Sequence, residues 1–262
     1  MKRFYRKEFG QNFLTKRSVA KKLVYAANVT KEDTVLEVGA GAGMVTQYLC
    51  GEAGKVIAIE IDKRFIKMLK SRFLDDDHVE IVEGDIMKIQ PDKFNLSKSN
   101  YKVVGSLPYN ISKKIIKIFL EAESQPSAMS VILQKEVALD FTSQPPKASF
   151  LSNYVSIYSD ATYIEKVPKE FFDPEPKVDG AIVTFNDIEA RYDDHRRFAK
   201  FLKSAFLNPR KMLINNLSAI FKSEKADLKK MFNDEQIDHK ARASNLTIDQ
   251  WHTLFIKIYK KN

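Results

Sequence analysis

The chain has 262 residues, 44% hydrophobic and 29% charged, with a net charge of +9, a globular rather than disordered balance suited to one large domain or a domain and a half. No apolar run approaches the roughly 18 residues of a membrane span, and no apolar stretch follows the basic N-terminal residues as in a signal peptide. The single cysteine, Cys50, excludes an intrachain disulfide and a cysteine-based zinc cluster, and the four histidines are far apart, so the expectation is a cytoplasmic protein without metal.

In chain order, Ser18 is expected to cap a helix over Val19–Ala27, with Leu23, Val24 and Ala27 on one face. Thr34–Val38 is a short apolar strand ending at Gly39, followed by a helix near Val45–Leu49 and a strand at Val56–Ile61. Phe65, Ile66, Leu69 and Phe73 give Lys63–Phe73 helical spacing. Strands at Val79–Val82 and Tyr101–Gly105 precede a helix near Ser112–Glu121, a strand at Ala128–Leu133 and a helix from Lys135. After Pro145-Pro146 come strand-like runs at Asn153–Tyr158, Thr162–Val167 and Val178–Phe185. Strand–helix alternation implies a parallel, helix-covered sheet, and the last three runs, with no long helices between them, imply an antiparallel edge.

Beyond about Asn186 the pattern is helical. Phe198, Phe201, Leu202, Ala205 and Phe206 share a face. Asn208 and Pro209 read as the cap and first position of a helix with Met212, Leu213, Leu217 and Ile220 inward. The expected division is residues 1–186 and a small all-helical domain over 187–262. Residues 1–22 hold eight basic residues against one acid, and residues 187–262 hold sixteen against ten. Positive charge at both ends of the chain suggests a polyanion partner. The plainer reading is a set of solvated helix faces.

The chemistry-bearing segments fall at strand ends. Glu37-Val38-Gly39-Ala40-Gly41-Ala42-Gly43 lies between a strand and a helix, where small residues let the backbone approach a ligand. Glu60 ends the next strand, where a carboxylate can accept both ribose hydroxyls of a nucleoside. This suits a dinucleotide or an adenosyl cofactor. Met44 stands where the dinucleotide fingerprint wants a third glycine, and no acid or base is placed for hydride relay. Gly84-Asp85 follows the third strand; Asp85 could accept an adenine amine or simply cap a turn. Ser106-Leu107-Pro108-Tyr109-Asn110-Ile111-Ser112 sits at the carboxyl end of the fourth strand, where open sheets bind ligands. It offers acceptors for an exocyclic amine and a ring for stacking. Phe172, stiffened by Pro174 and Pro176, is a candidate second ring on a flipped base, whereas Phe171 reads as core.

Together these segments, with Phe9-Gly10-Gln11-Asn12-Phe13-Leu14, Gln134-Lys135-Glu136-Val137-Ala138 and Arg210-Lys211, resemble the rRNA adenine N6,N6-dimethyltransferases of the KsgA type over nearly the whole chain. The resemblance implies a class I methyltransferase fold, Rossmann-like, with helices on both faces of the sheet. It implies S-adenosylmethionine as cofactor and two adjacent adenosines near the 3′ end of small-subunit rRNA as substrate, on immature small subunits. Carried over by position, Asn12, Leu14, Gly39, Gly41, Glu60, Asp85 and Ser106 would contact the cofactor. Ser106 and Leu107 would hold the target amine, and Tyr109 and Phe172 would stack the base. Lys2, Arg3, Arg6, Lys7, Arg210 and Lys211 would contact RNA, with the protein acting as a monomer. One departure stands out: Ser106 occupies a position where the family pattern has asparagine. Serine keeps an acceptor oxygen but is shorter and lacks the amide donor. The competing readings are an inactive ribosome-assembly factor and a large-subunit resistance methyltransferase.

Overall fold

A computed structural model describes residues 12–89 and 91–259. Contacts group the chain into two compact units. The first runs to Ala138 and takes in Asp160–Glu189; the second comprises Leu139–Ser159 and everything from Ala190. A single cut at 186 therefore does not describe the grouping, because residues 139–159 cluster with the C-terminal helices.

Among the described residues the first unit opens with a two-residue strand, β1 (Phe13–Leu14), and helix α1 (Arg17–Ala26). Ser18 is not the cap of α1: Lys16 holds that position and Ser18 lies inside the first turn. The chain then alternates β2 (Thr34–Val38), α2 (Met44–Glu52), β3 (Lys55–Glu60), α3 (Lys63–Arg72), β4 (Val79–Glu83), β5 (Tyr101–Ser106), α4 (Ser112–Glu121) and β6 (Ala128–Gln134), which runs into α5 (Lys135–Phe141). Within a strand, alternate residues face opposite sides of a sheet. Val35, Val56, Ala58 and Val104 join α1, α2 and α3 in one core, while Leu36, Ile57 and Val103, of opposite parity, are equally buried. Both faces are therefore covered, as a parallel sheet requires.

Before the sheet is completed, the chain forms α6 (Phe150–Ser156), part of the second unit. The strand-like run at Asn153–Tyr158 is thus largely helix. Ser149 and Ser152 form a reciprocal capping box, and the Asn153 amide donates to the Ser149 carbonyl at 2.8 Å. These side chains satisfy the free backbone groups of the first turn, which outweighs the local β propensity. The sheet then resumes with β7 (Asp160–Val167), followed by β8 (Phe172–Asp173) and β9 (Gly180–Asn186).

The seven strands lie in the order β4-β3-β2-β5-β6-β9-β7. The first five are parallel, and β9 and β7 form the expected antiparallel edge. From central β2 the chain winds outward to β3 and β4, then returns to β5 on the other side. The switch point thus lies between β2 and β5, where open sheets leave a crevice at their carboxyl ends. Strands β1 and β8 pair separately, Leu14 opposite Phe172 and Phe13 opposite Asp173.

The second unit adds α7 (His195–Ala205), α8 (Leu213–Phe221), α9 (Lys225–Asp234) and α10 (Ile248–Tyr259). Its core is aromatic, with the Phe198 and Phe255 rings 5.3 Å apart and Phe201 edge-on to Trp251. Helix α8 begins at Leu213 rather than at Pro209. The Asn208 carbonyl instead accepts the Lys211 N–H at 3.0 Å, a β-turn with asparagine first and proline second. Among the described residues no helix is long and apolar enough to cross a membrane.

Candidate active site at the sheet switch point

The carboxyl ends of β2, β3, β4 and β5 surround a cavity of about 300 Å³. Asn12, Leu14, Gly39, Gly41, Glu60, Asp85, Ser106, Leu107 and Tyr109 all line it. Segments nearly a hundred residues apart are brought together here by the parallel sheet.

The glycine turn after β2 carries positive φ at Gly39, Gly41 and Gly43, a region that costs an L side chain energy. At Gly41 space is also limiting, since a Cβ there would lie 2.9 Å from the Phe13 ring. Phe13 in turn packs on Phe65, with ring centroids 4.9 Å apart.

Glu60 is almost fully buried and accepts three backbone N–H groups. Its Oε2 takes Gly41 at 2.7 Å, and Oε1 takes Ile61 and Asp62, both at 2.9 Å. Each carboxylate oxygen has two acceptor sites, so Oε2 retains one. Burial raises the Glu60 pKa, and the three N–H donors oppose that rise. Glu37, on the neighbouring strand β2, is fully buried; burial pushes its carboxyl up to about 8, and the Glu60 charge adds to the shift.

Asp85 uses Oδ1 to accept the Met87 N–H at 2.9 Å, fixing the turn after β4. The half-buried Ser106 ends β5, and among the described residues its hydroxyl has no hydrogen-bond partner. The Leu107 N–H donates to Ile132 at 3.1 Å, and the Ser112 hydroxyl donates to the Tyr109 carbonyl at 3.4 Å. The turn is thereby held from both ends. Tyr109 directs its buried hydroxyl into a slot beside Gly180, where any Cβ would lie 2.9 Å from that oxygen. Burial, and secondarily the charge of Asp179, raises its pKa.

Phe172 is 4% exposed and belongs to the core. It meets the Tyr109 ring edge-on, centroids 6.3 Å apart and planes at 69°, and is not on the cavity wall. Phe171, read as core, is only half-buried, with the Lys16 ammonium 5.5 Å over its ring. Arg210 and Lys211 are exposed in the turn before α8. Lys2, Arg3, Arg6 and Lys7 lie outside the described residues.

Sequence reasoning missed the apolar walls: Phe13, Met44, Ile61, Ile86 and Met87 also line the cavity. Phe13 and Met44 sit inside motifs already singled out. Ile86 and Met87 follow Gly84-Asp85 directly, which is the signal that would have found them.

The charged side chains on the described walls are Glu60 and Asp85, both acidic. A cationic adenosyl group suits such walls better than a pyrophosphate does. The glycine turn, the spare acceptor on Glu60 and the apolar walls also fit a nucleoside. Among the described residues no group of three His, Cys, Asp or Glu side chains is placed to hold a metal ion.

Comparison with known proteins agrees with this geometry. The ribosomal RNA small subunit methyltransferase A of Lactococcus lactis is 35% identical over 260 residues, covering 95% of this chain and 88% of that protein. Its counterpart in Clostridioides difficile is 33% identical, covering 95% and 89%. Among solved structures, the 23S rRNA methyltransferase ErmE and a dimethyladenosine transferase from Plasmodium falciparum each superpose with a TM-score of 0.80 at 24% identity. Each comparison covers 95% of this chain, with 100% and 98% of the respective neighbour. The family model for ribosomal RNA adenine dimethylase matches residues 3–260, and the chain belongs to that family.

Proposed function

We propose that this methyltransferase takes S-adenosylmethionine as its cofactor. It dimethylates the exocyclic amine of two adjacent adenosines near the 3′ end of small-subunit rRNA, acting as a monomer on immature small subunits. The observation that carries this reading is the convergence of Glu60, Asp85 and the Ser106–Tyr109 turn on one acidic-walled cavity. The small-subunit preference is supported by the named relatives at 33–35% identity.

The cofactor supplies an electrophilic methyl group on a sulfonium. Glu60 accepts a ribose hydroxyl on its spare lone pair, and Asp85 accepts from the adenine amine. An exocyclic adenine amine is a weak nucleophile because its lone pair is delocalised into the ring. The Ser106 hydroxyl oxygen and the Leu107 carbonyl accept its two N–H groups and aim the lone pair into the cavity, largely a positioning effect. Tyr109 stacks on the extruded base. Transfer would break the methyl–sulfur bond as the N–C bond forms, leaving the thioether S-adenosylhomocysteine, and the methylated amine would release one proton to solvent.

The test is labelled methyl transfer to immature small subunits, with the modified positions mapped by reverse-transcription stops. Two adjacent stops near the 3′ end are expected. Transfer to large-subunit RNA, or no transfer at all, overturns the proposal.

A further inference from the structure

Tyr109 and Phe172, the two rings that the family resemblance assigns to the target base, do not form a slot. A base stacked between rings needs them roughly parallel and about 7 Å apart, two contact distances of about 3.5 Å. Tyr109 and Phe172 instead stand at 69° with centroids 6.3 Å apart. Tyr109 has little freedom, because its hydroxyl end is lodged beside Gly180 under the ends of β6 and β9. The ring that must adjust is Phe172, and its backbone is held by β1.

That attachment is specific. Leu14 pairs with Phe172 and Phe13 with Asp173. Immediately after β1, both the backbone N–H and the hydroxyl of Thr15 donate to the Phe171 carbonyl, at 2.8 and 2.9 Å. Asn12, Phe13 and Leu14 are also walls of the cofactor cavity, Phe13 lying directly against the glycine turn. One short segment therefore lines the cavity on one edge and pairs with the strand that carries Phe172 on the other. Two strands of two residues are marginal on their own, so whatever fixes one strand fixes its partner.

We propose that Thr15 is a positioning residue for Phe172, and that the β1–β8 pair couples cofactor occupancy to adenosine binding. This rests on the cofactor and substrate assignment above. Filling the cavity fixes Asn12–Leu14, and the paired strand sets Phe172 for the incoming base. The ordering cost is met by whichever ligand binds first, so the second binds more tightly. The coupling is reciprocal by thermodynamic necessity.

The experiment uses the full chain, S-adenosylhomocysteine, and an rRNA hairpin carrying 2-aminopurine at one target adenosine. Calorimetry gives each affinity with and without the other ligand, and fluorescence reports stacking of the flipped base. In the wild type each ligand is expected to tighten the other by about tenfold. Thr15→Pro removes both bonds to Phe171 while remaining compatible with extended Leu14. It should bring the coupling factor close to one, change the fluorescence of the bound base, and leave each separate affinity within about threefold. Thr15→Val, which removes the hydroxyl alone, should give an intermediate coupling factor and guards against a folding defect in the proline variant. An undiminished factor in both variants, or no coupling in a wild type that still transfers methyl groups to rRNA, overturns the inference alone. A wild type that transfers no methyl group overturns the reading beneath it.

Discussion

The Glu60 carboxylate holds the glycine turn in place by accepting the Gly41 N–H at 2.7 Å. A residue assigned to ligand binding from its position at a strand end also shapes the loop that forms the opposite wall. Its other oxygen holds Ile61 and Asp62 at the start of α3.

Replacing Glu60 should therefore affect both roles. In Glu60→Gln the amide oxygen can serve only one side, leaving an N–H group facing another donor. Affinity for S-adenosylhomocysteine should fall by on the order of 2 kcal/mol, with a lower melting temperature. Titration calorimetry alongside thermal unfolding checks this. An unchanged affinity would remove Glu60 from the ligand site.

Glu37 makes a prediction about pH. Its folded pKa, about 8, lies above the ordinary value of 4.5. The folded state thus holds a proton that the unfolded chain releases between those values. The associated stability is complete below about pH 4.5 and is lost as pH rises towards 8, a span on the order of a few kcal/mol. Glu37→Gln cannot ionise. Its stability relative to the wild type should rise steadily from pH 5 to pH 8, measured by urea unfolding across that range. A difference that does not vary with pH would show that Glu37 is ionised in the fold.

Ser106 can be tested in both directions. Ser106→Ala removes one acceptor for the target amine and should slow single-turnover methyl transfer about a hundredfold, roughly 2–3 kcal/mol, by analogy with deleting one preorganised hydrogen-bonding group. Cofactor affinity should change much less, since Glu60 and Asp85 hold the nucleoside. Ser106→Asn restores the longer family side chain and should retain or raise the rate, with overpacking the opposing effect. Full activity in Ser106→Ala would leave the Leu107 carbonyl as the sufficient acceptor. An inactive wild type rescued by Ser106→Asn would instead favour a binding role in ribosome assembly.

Arg210 and Lys211 stand exposed in the Asn208–Lys211 turn, upstream of α8. Buried Asn216 anchors that turn from below by donating to the Asn208 carbonyl at 2.7 Å. Replacing both cations with alanine should leave the melting temperature unchanged, weaken rRNA binding, and reduce the salt slope of log K by about two. Filter binding over a range of salt concentrations provides the check. A lower melting temperature with unaltered RNA affinity would make the pair structural.

Much of this architecture was legible in the residue pattern. The parallel strands announce themselves as short apolar runs, and the Ser112–Glu121 helix has the bounds expected from its spacing. The glycine turn, Glu60, Asp85 and Ser106–Tyr109 could be placed on one rim because parallel strands present all their carboxyl ends on the same side of the sheet. Local patterns do not encode competition with distant partners, and there the readings failed. Asn153–Tyr158 alternates like a strand, yet two serine side chains cap it as a helix. Asn208-Pro209 fits a helix start equally well, until the Leu213 N–H finds the Ala241 carbonyl at 2.7 Å and the helix begins later. Nor does any local signal show that Phe172 lies edge-on behind Tyr109, or that the Glu60 charge acts on buried Glu37. Those relationships depend on which strands are neighbours and how much water the packing excludes, and only the assembled sheet decides both.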